Sequence, residues 1–589
     1  MTAGRRCDSS LYGLLVSGAS VAKQFRWLRI RSTNGRVSSQ ANLIRISIKL
    51  LTIKLLLYLA INQLKGIDGR VAIVVSEIEQ PRDEINNVLF EDPIFAPKPK
   101  VNPFYEKERN ALIAEEQSIS SGGNMKLSEK EQQVNDIFMR LKLLELSENF
   151  ERPDHNTPGM HFFKAKPLID RSKVFQFIRE MPKGAILHVH NTASVSSNWV
   201  IKNLSYMGGM KKCVNTNGIT ILTFRENMGK HKCRTRYENL DVERQRMNSS
   251  VRYDKVLEQK INLHTESPEF EYNTDEKVWT KFQNMFDTLG DAIKFEPAFR
   301  AFHWRMLEEM YQDNIMYAEI RMRFKKTYDA NGNDKKPDET IQILISIVED
   351  FKKLHPDFLG IKIIYSTHRG AEKESIRNEF EVFKRMHEAY PHFIVGFDLV
   401  GQEDKGKALH TFSTILQDVP KTAKFFFHAG ETNWYGSSID LNLVDAILLN
   451  TTRIGHGFAL IKHPVLMKTV KERGIGIEVT PISNQVLDLI WDLRNHPAGY
   501  FLADDMPIVI SNDDPGFWNA KGLSYDFYYA IMSLAPNYSG LKTLKSLVWN
   551  SLKYSALNDV ELTDAIDMLE QSWDEFLNRV LMGLVVDLF

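Results

Sequence analysis

From about residue 161 the chain alternates short apolar runs with amphipathic spacers of helix length. AILHVH (185–190), IMYAEIR (315–321), IKIIYSTHR (361–369) and IVGFDLVG (394–401) each read as a buried strand. So do FFFHAGE (425–431), TRIGHG (452–457), IGIEVTP (475–481) and IVISNDD (508–514), and several of the eight end in polar or ionisable residues. Eight strands in βα alternation predict an α/β fold, a closed parallel (β/α)8 TIM barrel with its chemistry at the C-terminal strand ends. The regular spacing fails once, between residues 190 and 315. The polar stretch 203–272 within that gap predicts an inserted small domain after the first strand, and Trp279 to Arg305 read as helix again. The barrel itself is expected over 161–202 and 273–589.

Upstream, residues 75–160 read as a helical, charged extension. Ser128-Glu129-Lys130-Glu131 is a capping-box string. Behind it, Val134, Ile137, Phe138, Leu141 and Leu144 recur at helical spacing, so this face needs a surface to lie on, either the barrel wall or a second subunit. Residues 1–70 are expected to form a disordered extension with a signal-like segment. Arg45 to Gly66 has a basic flank and an apolar run of about a dozen residues, interrupted by Lys54. That length suits a secretory h-region and is short for a membrane span of about 20 residues. Its distance from residue 1 leaves four readings open: a later translation start, an extension ahead of the true start, a signal-anchor, or an apolar helix packed on the body.

Composition works here by exclusion. The chain has 589 residues, 43% of them hydrophobic and 25% charged, enough for a large core and against wholesale disorder. The net charge is zero, so no global field points to nucleic acid, and no nucleic-acid-binding module is present. Of three cysteines, Cys213 and Cys233 sit in the polar insertion without a CxxC partner, which favours one disulfide over a zinc knuckle. NxS/T triplets at Asn203, Asn248, Asn450 and Asn537 permit glycosylation.

The strand ends carry the candidate chemistry. His188 and His190 flank Val189, and residues two apart on a strand point to one side, so both imidazoles can reach one metal. His428 offers a third nitrogen, and Asp513 or Asp514 an oxygen. Three nitrogens and a carboxylate with one open position suit a catalytic Zn²⁺. His456, between Gly455 and Gly457, is placed to accept or orient a proton of the activated water, and Glu431 to pass a proton to or from a substrate atom. Taken singly, each has a plain alternative: a packed histidine, a surface acid, a turn at SNDDP.

LHVH, FHAGE, IGHG and SNDDP, in this order, resemble the adenosine deaminases of the amidohydrolase superfamily. MPKGAILHVH, GFDLVGQED and HAGETNW resemble the extracellular branch, the adenosine-deaminase-related growth factors, over roughly residues 100–575. The resemblance implies one zinc per subunit, held by His188, His190, His428 and Asp513. It implies Glu431 as proton donor to N1 of the purine, and His456 and Asp514 as the groups that orient the hydroxide, Asp514 also touching the base. The backbone at Gly401 would meet the base, and Trp279 and His368 would line the nucleoside pocket. The implied reaction turns adenosine, and by extension 2′-deoxyadenosine, into inosine and ammonia. A 5′-monophosphate substrate would call for an Arg/Lys cluster, and none is assigned to the pocket.

One departure matters. The family usually carries Asp after HxH, where it touches the ribose; here it is Asn191, which can still hydrogen-bond a hydroxyl but has no charge. The family's further properties are dimerisation through the segment matching 75–160, and receptor or glycosaminoglycan binding through the one matching 203–272. A secreted glycoprotein that lowers extracellular adenosine is the expectation, and a disulfide between Cys213 and Cys233 agrees with that compartment. The alternative is a secreted growth-factor-like binding protein with weak or vestigial deaminase activity.

Overall fold

The computed structural model of the chain describes residues 102–229 and 232–586. The signal-like segment 45–66, the rest of 1–70 and the first part of the 75–160 extension lie outside the described residues. The described residues fall in one compact unit, Leu89–Phe589.

All eight apolar runs form parallel strand structure. Gly184–His190, Ile315–Met322, Gly360–His368, Ile394–Val400 and Lys424–Phe425 pair in that order in a five-stranded sheet. Ile508–Ile510, Gly476–Val479, Arg453–His456 and His428–Ala429 pair in that order in a four-stranded sheet. The run 424–429 serves both: its first two residues pair with one sheet and its last two with the other. At the opposite edges Val189 and Asp513 form a parallel bridge. There the Asp513 amide donates to the His188 carbonyl at 3.0 Å, and the His190 amide to the Asp513 carbonyl at 2.9 Å. Helices Pro337–Leu354, Lys373–Ala389 and Leu541–Lys553 pack on the strands. Strands covered on both faces need near-continuous apolar sequence, which is why these runs do not alternate.

Ser128 caps helix Glu129–Glu151 with both capping-box bonds formed. Its apolar face lies on the same chain, against helices Lys173–Glu180, Leu541–Lys553 and Asp559–Leu581. Phe138 and Phe177 pack with tilted rings, 4.8 Å between centroids, and Val134 and Leu141 are buried. Leu144, expected on that face, is 57% exposed. It lies about 80° round the helix from Val134 at 3.6 residues per turn. Glu145 takes the inward position instead, accepting from Ser172 Oγ at 2.6 Å and Tyr528 Oη at 2.5 Å. The preceding helix, Pro103–Ile119, buries none of its residues.

The stretch expected to be helical from Trp279 to Arg305 is two helices, Asp275–Gly290 and Glu296–Tyr311, the second with proline in its first turn. A proline there removes only an amide that the helix start leaves unbonded, so it marks a start rather than an interior position. The insertion holds a three-stranded antiparallel sheet, Thr220–Thr223, Lys211–Val214 and Glu238–Asn239 in that order. The Cys213–Cys233 disulfide forms within it, at a Cα–Cα distance of 5.6 Å. Cys213, Ile221 and Cys233 form a small apolar cluster of their own, while Leu222 on the opposite face joins the main core.

Candidate metal centre and active site

His188, His190, His428, His456 and Asp513 meet where the strands end. Ring centroids of His188 lie 5.4 Å from His190, 4.6 Å from His428 and 4.9 Å from His456. Asp513 Oδ1 lies 3.2 Å from His188 Nε2 and 3.0 Å from His190 Nε2. Asp513 has φ of 60°, in the left-handed region that Asp tolerates better than most residues, and this turns its carboxylate inward beside the imidazoles.

The outward nitrogens of two of these rings are fixed. His188 Nδ1 sits 2.7 Å from Glu478 Oε2, and His428 Nδ1 sits 2.6 Å from Asp398 Oδ2. A carboxylate only accepts, so each Nδ1 carries a proton, and in the neutral ring each Nε2 presents a lone pair. Burial pushes the His428 imidazole down to about 3, which keeps it neutral. His188 Nε2 and Asp513 Oδ1 are buried, have no hydrogen-bond partner, and face one another as two acceptors. That arrangement repels unless a cation lies between them. The residues present therefore fit a metal, with the imidazoles oriented by carboxylates behind them, as metal-binding histidines usually are.

The sequence reading missed those carboxylates. Arg321, also fully buried, joins them: its Nε donates to Asp398 Oδ2 at 2.7 Å and its Nη2 to Glu478 Oε2 at 2.6 Å. Arg453 then bridges Glu478 and Glu319 at 2.6 and 2.7 Å. Burial works to raise the Glu478 carboxyl, but Arg321 and Arg453 outweigh it and hold the group well below its usual range. The available signal was a single charge inside each apolar run, as in GFDLV and GIEVT.

Glu431 is 5% exposed and opens on the same cavity. Its loop is clamped by Glu403, which accepts the Gly430 and Glu431 amides at 3.1 and 2.6 Å. Burial, reinforced by the nearby Asp513 and Glu403 carboxylates, raises the Glu431 carboxyl well above its usual range. Asp514 is raised by burial and then by Asp513, and its Oδ1 has no partner. With a proton on Nε2, His188 and His190 would outweigh the burial of Asp513 and hold its carboxyl well below the usual range, so this carboxylate calls for positive charge facing it. His456 Nε2 lies 3.6 Å from Glu431 Oε1, and burial pushes its imidazole well below the usual value.

A cavity of about 450 Å³ leads to this centre, lined among others by Asn191, Trp279, His368, Gly401, Glu431 and Asp514. Of the expected metal-ligand, catalytic and pocket residues, all but the fully buried His188 line it; His188 clusters with His428, His456 and Asp513, and His190 with Asp513 and Asp514. Gly401 has φ of 99°, and a Cβ there would sit 2.5 Å from His368 Nε2, so the close approach of this turn to the imidazole requires glycine. The cavity also holds four cations that the sequence did not assign to it: Lys294, Arg321, Arg323 and Lys325. Lys294 pairs with Asp291 at 3.3 Å, and Arg323 pairs with Glu379.

The adenosine deaminase family matches residues 251–572, and the N-terminal region of adenosine/AMP deaminases matches residues 97–178. Human adenosine deaminase 2 is 39% identical over 480 residues, covering 81% of this chain and 94% of its own. The adenosine deaminase of Aedes albopictus is 39% identical over 484 residues, covering 82% and 90%. Among solved structures, arabidopsis ADAL complexed with IMP superposes with a TM-score of 0.50 at 16% identity, covering 68% of this chain and 99% of its own, a likeness of fold.

Proposed function

The chain belongs to the adenosine deaminase family, and we propose that it is a secreted zinc enzyme converting adenosine, and 2′-deoxyadenosine with it, to inosine and ammonia. As a member it is a hydrolytic deaminase, and its metal site is a buried His/Asp cluster. The observation that carries the fuller reading is the pairing of opposed lone pairs on His188 and Asp513 with a buried, raised carboxyl at Glu431. A centre that binds a cation next to an acid held protonated is what hydrolytic loss of ammonia from a purine needs.

In this reading His188, His190, His428 and Asp513 hold the zinc. When bound, zinc supplies Lewis acidity that brings the pKa of a water near 7. Glu431 delivers its proton to N1 of the purine, which makes C6 electrophilic. Asp514, raised by burial, is placed to hold or move a proton of the attacking water, and His456 fixes that water's orientation. One water adds at C6, the amino group leaves as ammonia, and inosine remains. Gly401 lets the backbone come close to the base, Trp279 and His368 wall the nucleoside, and Asn191 meets the sugar. Lys294, Arg321 and Arg323 are already paired to acids and burial lowers the Lys325 ammonium, which favours a nucleoside over its monophosphate.

The two seams described above, at 424–429 and at Val189–Asp513, support a closed eight-stranded barrel, with 203–272 inserted. Phe104, Tyr105 and Leu112 are 60–70% exposed on helix Pro103–Ile119, and a second subunit would cover them. The disulfide and the exposure of Asn203, Asn248, Asn450 and Asn537 suit an extracellular, glycosylated protein. A receptor or glycosaminoglycan would bind the insertion. A vestigial barrel has no observation in its favour.

The test is metal analysis of the purified protein paired with the absorbance change as adenosine becomes inosine. About one zinc per chain with turnover is expected. Zinc-free protein with full activity, or zinc-loaded protein without activity, overturns the reading.

A further inference from the structure

Behind His456 runs a chain of hydrogen bonds whose direction is set by a backbone amide. The Ala498 N–H donates to His496 Nδ1 at 3.0 Å. A backbone N–H cannot accept, so His496 Nδ1 is the bare nitrogen of that ring. Burial pushes the His496 imidazole down to about 3, so it is neutral and its proton sits on Nε2. That proton points at Asn484 Oδ1, 2.9 Å away. With its oxygen so occupied, Asn484 turns its amide nitrogen to His456 Nδ1 at 3.2 Å. Thr480 Oγ1 reaches the same Nδ1 at 2.9 Å. Reversing the amide would set its N–H against the His496 N–H and force two donors together at that contact. All four side chains are at most 4% exposed, so water does not rescue the reversed arrangement, and the Phe458 ring stands edge-on to His496 at 5.2 Å.

We propose that Asn484 and His496 are positioning residues that hold His456 as the tautomer protonated on Nε2, so that it offers the reacting centre a donor and not a base. The inference rests on the deaminase reading for its kinetic consequence, and on the hydrogen-bond chain alone for the tautomer. His456 Nε2 is buried, has no partner, and lies within 4.8 Å of the metal-ligand atoms of His188, His428 and Asp513. By position alone it could be taken for a ligand. A protonated Nε2 has no lone pair to give, which removes His456 from the ligand set. It also means that the proton lost by the attacking water goes to another group.

The test inverts the tautomer. In Asn484→Asp both oxygens accept, so the proton of His456 moves to Nδ1. We expect kcat to fall on the order of 100-fold or more, as tautomer inversion does in a serine-protease triad. KM for adenosine and metal content should stay within about twofold, a split that loss of packing would not produce. His496→Gln keeps an N–H for Asn484 Oδ1 and is expected to retain kcat within about threefold, whereas His496→Leu should lose about tenfold. Ring ¹⁵N shifts of histidine-labelled, metal-loaded protein, with His456 identified by its absence in His456→Gln, read the tautomer without any assay. A proton on Nδ1 in the wild type, or wild-type kcat in Asn484→Asp, overturns the proposal. If Asn484→Asp does not fold, equal rates for His496→Gln and His496→Leu overturn it. A wild type without deaminase activity would remove the function reading, and the ¹⁵N measurement would still decide the relay.

Discussion

Asn191, on the wall of the cavity, meets His303 behind it side chain to side chain at 2.8 Å, both buried. His303 Nδ1 donates to the Phe299 carbonyl at 2.7 Å, and burial pushes the ring down to about 4. Its Nε2 is therefore an acceptor at neutral pH. The structure places Asn191 Oδ1 at this nitrogen, and a neutral His303 requires the amide turned, so that its nitrogen donates there and its oxygen is left for the pocket. A carboxylate at 191 could not donate to that nitrogen and would require His303 to be charged. Asn191 thus belongs with a neutral His303, and the departure from the family's usual Asp is a paired feature.

The first prediction follows from that pair. Asn191→Asp should lower KM for adenosine severalfold, because a charge-assisted bond to a sugar hydroxyl is roughly twice as strong as a neutral one. It should leave metal content unchanged and raise the pKa of His303, readable by NMR. An unchanged KM would show that residue 191 does not meet the sugar.

Glu431→Gln should keep its metal and its fold and lose about 10³-fold in kcat, within the usual range for a general acid. The acid form is the active one, and burial has raised its pKa. The wild-type rate should therefore fall as pH rises through that raised pKa, and the residual rate of the variant should lack this limb. A variant retaining a tenth of wild-type turnover would remove Glu431 from the role. By contrast, His428→Ala should lose the metal itself, as elemental analysis would show.

Asp398→Asn should weaken metal binding about 10- to 100-fold, although Asp398 meets His428 only at its backbone amide and Nδ1, away from the ligand nitrogen. The amide still accepts from His428 Nδ1 but no longer balances the charge of Arg321. Chelator competition followed by metal analysis measures the loss. Unaltered affinity would mean that the carboxylate does not tune the imidazole.

Lys142 is fully buried, with Nζ donating to the Pro536 and Ser539 carbonyls at 3.0 and 2.8 Å. Burial pulls it down to about 7, well below the unfolded value. Between pH 7 and about 10 the unfolded chain therefore binds more protons than the folded one, and stability from this group rises with pH. Lys142→Met lacks that term. Wild type should gain stability relative to the variant from pH 7 to pH 10, by a few kcal/mol at most since the two carbonyls favour the charged form. Parallel melting curves across that range would refute it.

The ligand types and the strand ends were legible because they depend on local spacing. HxH puts two rings on one side of a strand whatever that strand pairs with, and an apolar run followed by a polar residue marks a strand end. Leu144 shows the limit of the same reasoning. A five-residue helical pattern fits it well enough, yet Glu145 faces inward because Ser172 and Tyr528 stand there to bond it.

By itself, then, the sequence determined the eight parallel strand runs, the capped helix and the four strings that carry the candidate ligands, since each rests on neighbours within a few residues. Only the tertiary structure decided which groups stand behind them. Asp398, Glu478 and Arg321 come from three strands that do not pair with one another, and they meet because the Arg321 side chain reaches both carboxylates. The hydrogen-bond chain from Ala498 to His456 likewise needs backbone geometry, because an amide's direction cannot be read from the identities of the residues it joins.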